Sequence, residues 1–210
     1  MKRSFILLAA LAAGTVVRAQ AGPVELMAGH RSLHYQHSFS KSFGATGYGW
    51  QHIATLIKVY RGGDKSAAWS DELMNQVYIT RRLNRWLEIK GGLFYTNAAG
   101  YTPTIGLQLA KRLGPWTLAA APRINIDKTP AAELFALAEY APASDGGLRP
   151  YLRLQLMSNR GTRQHNRSYQ QVRIGAQLAA VQAGLGITFD EFGPASAVYV
   201  NTGLFVRRVF

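Results

Sequence analysis

The chain of 210 residues contains no cysteine. An exported domain stapled by disulfides is thereby excluded, as is any site built on thiolate ligands. Past the N-terminus, no stretch reaches the 18 or so apolar residues that a membrane-spanning helix needs. Carboxylates are scarce, with 11 acidic residues against 24 lysines and arginines, a formal charge of +13. Such an excess points to anionic partners. The alternative use of the arginines is internal, with side chains that fill an interior or sit in turns and bind nothing foreign.

The N-terminus supplies Lys2 and Arg3, an apolar run from Phe5 to Val17, then Arg18-Ala19-Gln20-Ala21. A basic start, a short apolar centre and a small-residue cleavage site predict an export signal over residues 1–21. The run is too short to span a bilayer as a helix. Cleavage after Ala21 leaves one domain, 22–210, starting at Gly22, and lowers the formal charge to +10 by removing Lys2, Arg3 and Arg18. Export takes the chain away from nucleic acid, which is not expected as a partner.

What fills the remainder is period two. Leu152, Leu154 and Leu156 alternate with Arg153 and Gln155; Val172, Ile174, Ala176 and Leu178 alternate with Arg173, Gly175 and Gln177. Val181, Ala183, Leu185, Ile187 and Phe189 alternate with Gln182, Gly184, Gly186, Thr188 and Asp190. Successive strand side chains point to opposite faces, whereas a helix would repeat near 3.6. Transmembrane strands need only about 9–11 residues, apolar outward and polar inward, so their hydropathy is unremarkable. The chain closes on Leu204 to Phe210, an alternating strand with a terminal Phe. Signal, alternation, terminal Phe and missing cysteines together predict an all-β antiparallel transmembrane barrel in the cell outer membrane.

Tight turns are expected at Leu83-Asn84, Leu113-Gly114-Pro115 and Ala179-Ala180, with a longer one from Pro142 to Gly147. Longer polar loops alternate with them, at 61–71, 96–101, 127–130, 159–167 and 191–196. Short periplasmic turns and longer outer loops are the rule in such barrels. Ten strands follow from Trp50 onward, and residues 33–39 alternate as another. Because strand numbers are even, either Val24 to Gly29 adds a short first strand, giving twelve, or residues 24–43 form something else, giving ten. Twelve is the preferred count.

The interior set predicted by parity is charged: Lys58, Glu88, Lys90, Arg123, Glu133, Glu139, Arg153, Arg173, Asp190 and Arg207. Both signs are present. In a small barrel side chains fill the interior, so this mixture reads as a structural plug, with a narrow pore as the alternative. Aromatics at strand ends, among them Trp50, Trp86, Trp116, Tyr151 and Phe192, are expected to form interfacial girdles.

Three local groups merit chemical reading. The run Leu154-Gln155-Leu156-Met157-Ser158-Asn159-Arg160-Gly161, followed by His165-Asn166-Arg167-Ser168-Tyr169, resembles the active-site strand-loop-strand of outer-membrane phospholipase A, and more loosely that of the lipid A deacylase barrels. The resemblance implies a lipid hydrolase with Ser158 as nucleophile and Asn159 beside it. The family's His two residues before the serine is replaced by Leu156, and a serine without a neighbouring base is a weak nucleophile. His165, across the loop, is the substitute base the sequence offers. The basic loop of Arg160, Arg163 and Arg167 suits phosphate and is a candidate contact for lipopolysaccharide. The histidines His30, His34, His37 and His52 cluster early, but on one strand His34 and His37 face opposite ways, so no metal site is read from them. No pattern implies a cofactor.

The chain as a whole looks like one of the small, uncharacterised outer-membrane barrels of Gram-negative bacteria. The resemblance rests on the signal, the strand pattern and the terminal Phe. Its expected partners are outer-membrane lipids and lipopolysaccharide, and the barrel assembly machinery through the strand ending in Phe210. The expected role is non-enzymatic, structural or interacting; the alternatives are the hydrolase and the narrow pore.

Overall fold

A computed structural model describes residues 22–60, 70–128, 130–143 and 146–210. The export signal expected over 1–21 lies outside the described residues.

The described residues form twelve antiparallel strands: β1 (Val24–Gly29), β2 (Ser32–Ser42), β3 (Tyr48–Val59), β4 (Glu72–Arg82), β5 (Leu87–Thr96), β6 (Gly100–Leu113), β7 (Trp116–Asn125), β8 (Ala131–Tyr140), β9 (Arg149–Gly161), β10 (His165–Leu178), β11 (Val181–Phe192) and β12 (Ala197–Arg208). Each strand pairs with its sequence neighbours, and β1 closes the barrel by pairing with β12 as well as β2. The sheet therefore has no free edge. Val24 to Gly29 do supply the short first strand.

Closure depends on β1, which has only six residues. Asn201 of β12 secures it. Its Oδ1 accepts the backbone N–H groups of Arg31 at 3.1 Å and Ser32 at 3.3 Å, and its Nδ2 donates to the Ser32 carbonyl at 3.1 Å. One amide thus stitches the β1–β2 turn to the last strand.

Hydrophobic alternation decides which face is which. Leu134, Leu152, Leu154, Leu156, Ile174 and Leu185 stand exposed on the outer wall, while Arg153, Arg173, Gln155 and Gln171 between them are buried in the lumen. An apolar outside and a polar inside are the reverse of a soluble domain and suit a wall that meets lipid.

The register differs from the sequence expectation in places. The β9–β10 hairpin continues to Gly161 and starts again at His165, so the loop expected over 159–167 shrinks to three residues. Tyr151 and Phe192, expected in the girdles, face inward: Tyr151 is 1% exposed and packs with Met27 and Phe205, and Phe192 packs with Tyr199 against Ile57 and Val59. Lys58, expected in the lumen, points outward and pairs with Asp71, because Ile57 and Val59 take the inner face.

Candidate functional site

The lumen is the most elaborate part of the molecule. We refer to the end bearing Val24 and Arg208 as the terminus end and to the other as the loop end. Five arginines are buried there: Arg123, Arg153, Arg167, Arg173 and Arg207. Each meets a carboxylate. Arg123 grips Glu133 with both branches of its fork, at 2.7 and 2.6 Å, and lies 4.0 Å over the Phe94 ring. Arg153 and Arg173 converge on Glu25 at 2.7 and 3.0 Å. Arg207 reaches Glu139 at 3.1 Å and also bonds the side chain of Gln182.

Arg167 has the longest reach. It pairs with Asp190 on neighbouring β11 and with Glu72 on β4, both at 2.6 Å. In the ring of strands β10 and β4 lie opposite one another, so this ion pair spans the barrel near the loop end. Beside it, Phe192 and Tyr199 meet Ile57 and Val59 from the facing wall. Below this crossbar lies a cavity of about 250 Å³. Its lining runs from Met74, Glu133 and Tyr169 under the crossbar to Pro23, Glu139 and Arg207 toward the terminus end.

Small residues make room for the charges. A Cβ added at Gly186 would stand 3.0 Å from Met27 Sδ and 3.1 Å from Arg173 Cδ. The Arg173 side chain therefore lies close against the space that a side chain on β11 would take.

The residues predicted inward are distributed as follows. Lys90, Arg123, Arg153, Arg173 and Asp190 are buried in the lumen. Glu133 and Glu139 join them through Arg123 and Arg207. Glu88 sits near the terminus mouth against Arg82 at 3.3 Å. Glu25 and Glu72, which anchor three of the arginines, were not in the predicted set. Only barrel closure brings them to their partners.

Arg167 does not join Arg160 and Arg163 on the surface. It belongs to the regular part of β10, pairs with Asn159 and keeps step with the inward Gln171 and Arg173, so it points into the lumen and is 9% exposed. Arg160 and Arg163 remain exposed at the loop end.

The serine cluster is also rearranged. Ser158 follows Leu154 and Leu156 on the outward face, so Asn159 points into the lumen and donates to Glu133 at 3.1 Å. It cannot serve Ser158. Nor does His165 bond Ser158 directly. Its Nε2 lies 2.9 Å from Ser168 Oγ, and Ser168 Oγ lies 3.0 Å from Ser158 Oγ. Nδ1 of His165 lies 2.9 Å from the Gly193 carbonyl. Ser168 faces Ser158 on β9 and Glu191 on β11 in register. A His–Ser–Ser chain therefore lies on the outer wall near the loop end.

The early histidines separate by face. His34 points inward, its Nε2 3.0 Å from Ser32 Oγ. His37 and His52 point outward in a string in which Tyr35 Oη meets His37 Nδ1 at 2.9 Å, His37 Nε2 meets His52 Nδ1 at 3.0 Å, and His52 Nε2 meets Asn75 Oδ1 at 3.0 Å. One tautomer satisfies all three bonds in a single direction, which lets polar groups sit on a wall where stray ones would be costly.

No protein-family model matches this chain, and no curated protein matches it. Solved structures do. The KdgM porin is 12% identical with a TM-score of 0.52, covering 90% of this chain and 99% of its own. The NanC porin is 11% identical with a TM-score of 0.51, covering 90% of this chain and 100% of its own. A KdgM porin complex with disordered oligogalacturonate superposes similarly, at 12% identity and a TM-score of 0.50, covering 90% and 99% of the two chains. At such identity the likeness is one of fold. With that fold and that outer face, the chain is an outer-membrane β-barrel. Nothing in these comparisons supports the phospholipase A resemblance.

Proposed function

We propose that the protein is an integral barrel with a structural or interacting role, whose lumen is closed to solute flow at the loop end. The observation that carries this reading is the Arg167 crossbar. One guanidinium holds Asp190 on its own side and Glu72 on the facing wall, both at 2.6 Å, with the Phe192–Tyr199 and Ile57–Val59 cluster beside it. Paired, fork-shaped contacts of this type are short and directional. The terminus end faces the periplasm in this reading, and Arg160 and Arg163 face lipopolysaccharide phosphate. The neighbouring structures are described as porins, which makes conduction the reading to test against. Planar-bilayer recordings of the folded protein are expected to show no stable conductance steps, and Arg167→Met, which removes the crossbar, is expected to introduce them. Steady steps from the unaltered protein would make it a narrow pore instead.

A second reading has its own observation, the His165–Ser168–Ser158 chain on the outer wall. Here Ser168 rather than Ser158 is in contact with the base. Its Oγ attacks a lipid ester carbonyl and passes its proton to His165 Nε2. The leaving alcohol takes that proton back, and water then cleaves the acyl-serine. Mass spectrometry of phospholipid and lipopolysaccharide incubated with the protein decides it. Acyl loss abolished in both Ser168→Ala and His165→Ala supports the hydrolase; no product from the unaltered protein removes it.

A further inference from the structure

Pairing in the lumen leaves one cation over. All five buried arginines have carboxylate partners, but Lys90 of β5, 4% exposed, has none among the described residues. Its contact is the face of Tyr78, 4.7 Å from the ammonium to the ring centre. Glu133 and Glu88 attract the ammonium only from a distance, both being engaged by arginines, and a buried ammonium without a direct carboxylate contact is costly. The ammonium belongs to the lining of the 250 Å³ cavity, so the space it faces is available to a counterion.

The surroundings state what kind. On β4, Tyr78 lies directly across from Gln51 of β3. Gln51 is 8% exposed, and its Oε1 has no hydrogen-bond partner. Gln76, two residues from Tyr78, accepts the tyrosine hydroxyl at 2.8 Å through Oε1, which leaves its amide nitrogen to donate. Gln36 and Gln108 line the same cavity. The lining carries four cations, Lys90, Arg123, Arg153 and Arg207, against three carboxylates, Glu25, Glu133 and Glu139, so one positive charge is left over; with an unsatisfied acceptor and several amides it suits a ligand with one negative charge and several hydroxyls. The volume falls below the usual range for drug-sized ligands, so the occupant is small.

We propose that the Lys90 face of the lumen is a binding site for a small hydroxylated monoanion, entered from the terminus end. Lys90 neutralises the anionic group, and Gln51 and Gln76 take its hydroxyls. The proposal rests on the closed-lumen reading, which makes the chamber a blind pocket and not a conduit. Conductance reports on the closure and binding reports on the site, so either can fail alone.

The test is calorimetric titration of the folded, detergent-solubilised protein with sodium gluconate, with glucose and inorganic phosphate as comparison probes. Saturable gluconate binding is expected, with glucose at least tenfold weaker. Lys90→Met should weaken gluconate at least tenfold, Gln51→Leu several-fold, and Lys111→Gln, on the outer wall, not at all. Heat-dependent gel migration verifies that each variant is folded. Should Lys90→Met fail to fold, Lys90→Gln and Gln51→Leu carry the comparison. Phosphate binding as tightly as gluconate would overturn the hydroxyl part of the proposal. No saturable binding of gluconate, equal binding of glucose, or binding indifferent to Lys90 would overturn it altogether.

Discussion

The half of the lumen built by β8 to β12 with β1 and the half built by β2 to β7 fill comparable space by different means. In the first, Glu25, Glu133, Glu139 and Asp190 meet four buried arginines of the same half and Arg123 at its border. Met27, Tyr151 and Phe205 pack among them. In the second, the inward side chains are mostly hydroxyls and amides, such as Ser32, Thr102, Thr104 and Gln51, together with Lys90, and the cavity lies between the two halves. Gly186 gives Arg173 room against β11 in the first half. A charge cluster of that density resists change, since removing one member strands the others away from water. Amides facing a cavity lose little when altered and can exchange partners. The contrast separates a framework from a space the framework keeps open.

The largest effect is expected at Glu25. It holds two guanidiniums, with side chains of Arg153 and Arg173 only 4% and 1% exposed. Glu25→Gln leaves both with an amide in place of a carboxylate. Breaking a buried pair costs about 3–5 kcal/mol, and urea unfolding of the protein folded into lipid vesicles should show a loss of that size. A change near zero would mean that the paired half is not the framework. Next in size is Phe205→Ala, which empties the centre of the Met27–Tyr151–Phe205 cluster where Phe205 is 3% exposed. Truncating a buried Phe costs about 3–5 kcal/mol; the lower end is expected here, because neighbouring arginines can lean into the gap. The same unfolding measurement reads it.

The two halves were not equally legible in the sequence. Parity along each strand marks Arg153, Arg173 and Lys90 as inward, because Leu152, Leu154 and Ile174 so plainly belong outside. Turn residues such as Gly114, with φ of +58°, mark where strands reverse. What parity cannot give is partnership across the barrel. Glu25 lies 128 residues from Arg153, and Glu72 lies 95 from Arg167; only the strand count and closure bring them together. A one-residue slip is equally invisible, and it flips every side chain beyond it. The register shift between His165 and Arg167 is such a break, and on its far side His165 meets Ser168; Arg167 itself shares the parity of Arg173 and leaves the expected surface patch because β10 runs through the segment expected as loop. The resemblance in that segment pairs Ser158 with Asn159, which alternation alone puts on opposite faces.

The sharpest use of the comparison is to remove a charge from the amide half. Lys90→Met is close to isosteric, keeps contact with the Tyr78 ring, and deletes an ammonium that has no carboxylate partner among the described residues. Deleting a buried polar group that lacks a partner is neutral to stabilising, here by about 1 kcal/mol. Unfolding should therefore shift toward higher urea, opposite in sign to Glu25→Gln, although both substitutions remove one inward charge. The same variant is expected to lose gluconate binding, so stability would rise as the site is lost, the trade expected where a residue is kept for a ligand and not for the fold. A destabilisation of several kcal/mol would instead make Lys90 part of the framework, and the two halves of the lumen would then be one electrostatic unit.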